Sequence, residues 1–416
     1  MRRTGLRFAP PRLAPEILPD LAWMLARAFG PDEPGSRVRP AEPRRAVDLA
    51  RRFGLAARIA ARAERAALTA ELGDAAEALQ AERRVTTAGD LRLEAAVREI
   101  AGVAADRGIP IGYLKYAALE LAGVLAPGGR GASDVDVLAP AGREEELRDA
   151  LAAAGFAICD SPGYEHQLAP QIHPRLGAVE VHRIILGVRL SGGSGGFSGS
   201  SHRRSATLDA LLDAGLTVTC AGLPGAAVLP SLDVLAAHAA VHGLGQHGFE
   251  PNAYPALRTF ADLIDLGWAG PGGRECAARI APWLAEDLSE AEIGALVDLC
   301  AELAAGTARP DDDGPASLLL RHAIAGRLDP GYANALKLSL LAPRPSERTP
   351  LARKLAALAA ALWPSAAQLD AIYGRSSSPW GRLGRRLFRP VDLLRRAARA
   401  AASARDLDRR DDEREG

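Results

Sequence analysis

Two short stretches carry the acidic side chains with the clearest chemical use: Ser133-Asp134-Val135-Asp136-Val137-Leu138, and Ala178-Val179-Glu180-Val181-His182. Strand residues alternate between faces, so an extended SDVDVLA puts Asp134 and Asp136 on one face and Val135 and Val137 on the other. AVEVHRIIL alternates likewise, with Glu180 and His182 together, and hydrogen-bonded strands lie only about 4.8 Å apart. Asp134, Asp136 and Glu180 can therefore meet, and three such charges repel unless protons or a cation sit among them. Oxygen ligands of this kind suit Mg²⁺ or Mn²⁺ rather than zinc. The chemistry this points to is metal-assisted phosphoryl or nucleotidyl transfer.

Other residues gather around this set. Ile109 to Lys115, IPIGYLK, predicts a strand, and AALELAGVLA after it a short helix whose amino end, with Lys115 beside it, favours an anion such as a triphosphate. Arg130 lies in a glycine-rich turn, where it either holds a phosphate or, the favoured reading, pairs with Asp134 or Asp136. Ser133 precedes the acids directly, and His182 either orients a ligand or fills core. His238 and His242 stand four apart, but Ala239 follows His238, so the H-E-x-x-H pattern is absent; packing or lining a cleft fits better than zinc. Arg258 and Asp262 are also four apart: an exposed pair worth roughly 0.2–0.5 kcal/mol, or a clamp facing the site.

The order strand, Leu114-Lys115, helix, then Arg130-x-x-Ser133-Asp134-Val135-Asp136-Val137-Leu138, then Val179-Glu180-Val181-His182 resembles the polymerase-beta-like nucleotidyltransferase superfamily, in particular a bacterial group of uncharacterised nucleotidyltransferases. The resemblance covers residues 90–190 well and the following region to about 270 more loosely. It implies an α+β fold with a small mixed β-sheet core and helical N-terminal and C-terminal regions. It also implies two Mg²⁺ (or Mn²⁺) ions on Asp134, Asp136 and Glu180 as catalytic and metal residues. The donor would be a nucleoside triphosphate such as ATP, and the nucleoside monophosphate would pass to an unknown hydroxyl or phosphate acceptor. Substrate contacts would fall to Lys115, Tyr116, Arg130, Ser133, His182, His238, His242, Arg258 and Asp262. In one place the chain departs from the group, reading Lys115-Tyr116 where the group has Lys-Gly, and the tyrosine ring is expected to turn aside from the cleft. Two alternatives stay open. One is a non-catalytic binding or scaffold relative, which Tyr116 favours; the other is an Asp-x-Asp glycosyltransferase, which the helical reading of 43–108 disfavours.

The elements that must position these residues follow from pattern. Residues 1–90 read as an N-terminal helical region with breaks at Gly54 and Gly73, and 91–190 as the α/β core, opened by a helix over 91–107. The Gly/Ser run 191–201 is a loop, 202–345 a helical domain, and 346–416 a basic tail. Within that tail, 382–399 carries seven arginines against Asp392 and suits an anionic membrane surface or an acidic partner. The 416 residues hold 51 basic and 51 acidic side chains, so global charge gives no strong nucleic-acid signal. Cys159, Cys220, Cys276 and Cys300 form no C-x-x-C pair, and the longest apolar run, 355–363, is too short for a membrane span. A cytoplasmic setting is expected.

Overall fold

The computed structural model describes residues 10–31, 38–159, 166–190, 206–246, 256–284, 288–329 and 332, with a few positions between 378 and 391. The Gly/Ser run 191–201 lies outside the described residues, as does most of the arginine-rich segment 382–399. Four helices open the chain: α1 (Leu18–Phe29), α2 (Pro43–Arg52), α3 (Ala56–Arg62) and α4 (Arg65–Leu72). Gly54 (φ 68°) breaks the chain between α2 and α3 and Gly73 (φ 56°) ends α4, as the sequence predicts, in a backbone region that glycine enters without penalty.

The helix expected to begin at Leu91 instead runs unbroken from Ala76 to Asp106 as α5. Val85, Thr86, Thr87 and Gly89 are weak helix formers, but strong formers flank them, and extending a helix costs far less than nucleating one. Thr87 Oγ1 also donates to the Arg83 carbonyl at 2.9 Å, so its hydroxyl is satisfied within the helix.

The α/β portion then alternates: β1 (Ile111–Tyr113), α6 (Lys115–Leu121), β2 (Asp134–Leu138), α7 (Glu144–Ala153), β3 (Ala157–Ile158), β4 (Gln171–His173) and β5 (Gly177–His182). Next come α8 (Leu208–Asp213), β6 (Thr217–Thr219), β7 (Ala227–Pro230), α9 (Leu232–Ala240), a π turn (Val241–Gln246) and α10 (Ala256–Asp265). Last are α11 (Gly273–Leu284), α12 (Glu290–Ala304) and α13 (Pro315–Leu328). The fold is α+β, with one mixed sheet in the order β3-β4-β5-β2-β1-β7-β6.

The all-helical reading of 202–345 needs correction, because β6 and β7 return to the sheet and β7 pairs parallel with β1, Ile111 opposite Ala227. These strands are three and four residues long. All four positions of β7 are buried, so it shows no alternation for a period-two search to find.

Two cores flank the sheet. Val135, Val137, Val179 and Val181 pack with Val97 and Ile100 of α5 and Leu147 and Leu151 of α7. The other core joins chain ends: Trp23, Phe29, Phe53 and Ile59 share one buried cluster with Phe260, Trp268, Leu296 and Leu320. Arg58 of α3 forks onto Asp265 of α10, with N–O distances of 2.6 and 2.8 Å. Among the described residues no helix is long and apolar enough to cross a membrane.

Candidate active site

Strands β2 and β5 run parallel in a register that sets Asp136 opposite Glu180, Leu138 opposite His182 and Asp134 opposite Ala178. Directly paired residues share a face, so Asp134, Asp136, Glu180 and His182 all project away from the valine core. They form the floor of a cleft of about 1150 Å³. Its far wall comes from α9, the π turn and α10, and its side from the loop before β2. All twelve residues singled out from the sequence border this cleft, Lys115, Tyr116, Arg130, Ser133, His238, His242, Arg258 and Asp262 completing the set.

Asp136 is the most engaged of the acids. Its Oδ1 lies 2.6 Å from Lys115 Nζ and 2.7 Å from His182 Nε2, and the residue is 3% exposed. Burial alone would raise its carboxyl, but the adjacent Lys115 ammonium and His182 outweigh that and hold it well below the usual carboxylate range. For Asp134 and Glu180 the balance reverses: burial first, then the charge on Asp136, pushes both carboxyls up. Burial lowers the Lys115 ammonium, yet the carboxylates, Asp136 foremost, leave it raised.

Among the described residues, Asp136, Glu180 and His182 bring their ligand atoms within 4.8 Å of one another. Asp134 stands outside that trio, its Oδ1 accepting from Ser133 Oγ at 3.1 Å. Strand geometry explains the difference. Residues two apart on one strand are about 6.5 Å apart, whereas the partner across the ladder is nearer, and Asp134 faces only Ala178 there. Two carboxylates and an imidazole, with a third carboxylate one pleat away, make a candidate site for a metal cation. The raised Asp134 and Glu180 carboxyls mark a cluster that a cation would relieve.

Lys115 begins α6 at φ 48°, the one non-glycine residue with positive φ among those described. A lysine there carries a strain of roughly 1–2 kcal/mol. Tyr116, next to it, borders the cleft but is buried there. Its ring is 3% exposed, its hydroxyl donates to Asp90 Oδ1 of α5 at 2.6 Å, and the Arg130 guanidinium lies 4.8 Å above it. The pairing expected between Arg130 and Asp134 or Asp136 is not formed. Arg130 instead forks onto Asp262 of α10, Nε–Oδ1 at 2.7 Å and Nη2–Oδ2 at 2.9 Å. Asp262 thus engages Arg130, 132 residues away, while Arg258 donates to the Gly131 carbonyl. Both tie the loop before β2 to the far wall.

That wall sits close because Gly243 of the π turn has no side chain: a Cβ there would lie 2.0 Å from Thr259 Oγ1. The rings of His238 and His242 meet edge to face with centroids 5.7 Å apart. Burial, then Lys115, pushes His238 down to about 3.

This arrangement, a sheet floor with paired acids and a lysine at the preceding strand-to-helix turn, coincides with a sequence match. Residues 39–267, more than half of the chain, match the model of the uncharacterised nucleotidyltransferase family. The chain belongs to that family. The nucleotidyltransferase match begins about fifty residues earlier than the resemblance in the motifs and ends where α10 closes the cleft. No curated protein and no solved structure matches the chain. The nucleotidyltransferase cleft also includes Arg92, His166 and Gln167, which the sequence reading passed over. Arg92 sits in an unremarkable helical pattern. His166 reaches the site because Gln167 bridges antiparallel to His182 of β5, and the His166 and His182 rings lie 5.9 Å apart.

Proposed function

We propose that this nucleotidyltransferase, a polymerase-beta-like one, moves a nucleoside monophosphate from a nucleoside triphosphate such as ATP to a hydroxyl or phosphate acceptor in the cytoplasm. The acceptor oxygen bonds to the α-phosphorus as the bond to the bridging oxygen breaks, and pyrophosphate leaves. The observation that carries this reading is the β2–β5 register, which puts Asp136 opposite Glu180 beneath Lys115.

Asp136 and Glu180, joined by Asp134 once it turns from Ser133, would hold Mg²⁺ or Mn²⁺. Bound there, such ions supply charge neutralisation on the phosphates and a lowered pKa for the attacking hydroxyl. Lys115 binds the outer phosphates. His182 fixes the Asp136 carboxylate through its 2.7 Å contact. Arg130 and Arg258 act as positioning residues: anchored to Asp262 and the Gly131 carbonyl, they hold the loop that carries Ser133 into β2. Leu119, Leu186 and Leu235 give the cleft an apolar part of its lining.

A ligand that binds only the folded state must stabilise it. A thermal-shift screen of the four nucleoside triphosphates, each with and without Mg²⁺ or Mn²⁺, should raise the melting temperature for at least one donor, and only with metal. Absence of a shift for all four, with either metal, would overturn the proposal.

A further inference from the structure

The shared oxygen of Asp136 sets a constraint on any ion that binds through it, and the ammonium beside it repels an ion bound through the other. Asp136 Oδ1 takes both Lys115 Nζ at 2.6 Å and His182 Nε2 at 2.7 Å. Two donors fill the lone-pair directions of that oxygen, so a divalent ion reaches it only when one of them leaves. His182 is fixed in β5 and its side chain is 5% exposed, whereas Lys115 is 22% exposed on a flexible four-carbon stem. Lys115 is also held at φ 48°, a conformation that no other described non-glycine residue adopts. Nothing about the start of a helix requires it, but it brings the ammonium onto β2.

Resting on the metal site proposed above, we infer that Lys115 is a built-in cation that occupies the acidic cluster and keeps a divalent ion weakly bound until substrate phosphates draw the ammonium away. One positive charge then serves two anionic partners in turn, Asp136 in the resting enzyme and the triphosphate in the loaded one. Metal and nucleotide enter together, and the three acids are never left facing one another without a cation. The conformational strain at residue 115 favours release, because leaving Asp136 lets the turn relax.

The test is calorimetric titration of Mn²⁺ alone into the full-length wild type, Lys115→Gly, Lys115→Arg and Asp136→Asn. Glycine suits φ 48° and removes the charge; arginine keeps the charge. Lys115→Gly should bind Mn²⁺ about tenfold more tightly or better, since a unit charge beside the site is removed, while Lys115→Arg should bind no more tightly than wild type. Equal or weaker binding by Lys115→Gly, or an equal gain in Lys115→Arg, overturns the inference. Should Lys115→Gly not fold, wild type decides. The chain has three lysines, Lys115, Lys337 and Lys354, so ¹³C,¹⁵N-lysine labelling gives few enough side-chain signals to follow, and Lys115→Arg assigns the one that matters. Saturating Mg²⁺ should move the Lys115 signal, and a signal that stays put overturns the inference. Loss of Mn²⁺ binding in Asp136→Asn without a gain in Lys115→Gly removes only the role of Lys115. Wild-type binding by Asp136→Asn removes the metal reading as well.

Discussion

On the β2–β5 floor of the cleft, like charges are gathered and only partly compensated, whereas on the α9–α10 wall they are already matched. Asp134, Asp136 and Glu180 share the floor with the ammonium of Lys115, and burial first, then the charge on Asp136, pushes up the carboxyls of Asp134 and Glu180. Across the cleft, Asp262 accepts a hydrogen bond from Arg130 Nη2 and has Nε 2.7 Å from its Oδ1, and Arg258 donates to the Gly131 carbonyl. Buried charge that is paired in fixed geometry holds a fold in place. Buried like charge that is not is costly until a ligand arrives, and marks where one binds. On the function proposed above, the difference separates a reacting surface from the scaffold that faces it.

Substitutions should break this contrast in graded ways. The largest effect belongs to the floor: Asp136→Asn should abolish Mn²⁺ binding by calorimetry. It should also lower nucleotidyl transfer roughly a thousandfold, about 4 kcal/mol of barrier, and lower the melting temperature as well, because Lys115 and the buried His182 lose their carboxylate partner. On the wall the loss should be of stability rather than chemistry. Arg130→Met leaves Asp262 buried without its fork and takes the cation from the Tyr116 ring, so urea denaturation should show a loss of about 3 kcal/mol.

The two sides should also answer pH with opposite sign. The His238 imidazole is pushed down to about 3 from an ordinary 6.5, so between those values the unfolded chain holds a proton that the folded chain refuses. Its contribution is therefore complete above about 6.5 and lost as pH falls toward 3. His238→Gln should flatten the loss of stability on acidification by up to about 1 kcal/mol per pH unit. Tyr116→Phe, which removes only the hydroxyl from Asp90, should cost about 1 kcal/mol and leave nucleotide affinity within about threefold in equilibrium binding. The smallest change returns to the floor. Asp134 and Glu180 are raised, so the stability they contribute is complete below the ordinary carboxylate range and lost as pH rises through their raised values. Asp134→Asn should therefore stabilise the metal-free protein at pH 7 by somewhat under about 1 kcal/mol, and an unchanged denaturation midpoint would count against the uncompensated floor.

The floor was legible in the sequence because a strand has period two. Once SDVDVL and AVEVH are strands, chemistry on one face and valine on the other follow from bond geometry alone. The same arithmetic does not give register, and register is what put Glu180 opposite Asp136 and left Asp134 facing Ala178. It was also silent on β7, whose four buried residues show no alternation, and on the first half of α5, where the helix read from residue 91 in fact begins at Ala76.

By itself, then, the chain determined which side chains can do chemistry and on which face of which element each stands, since those depend on residues within a few positions of one another. Only the tertiary structure decided who pairs with whom. Arg130 pairs with Asp262 rather than with the nearby acids, and Arg58 with Asp265. Trp23 shares a core with Leu320, because hydrophobic burial and charge matching act through space and are indifferent to distance along the chain.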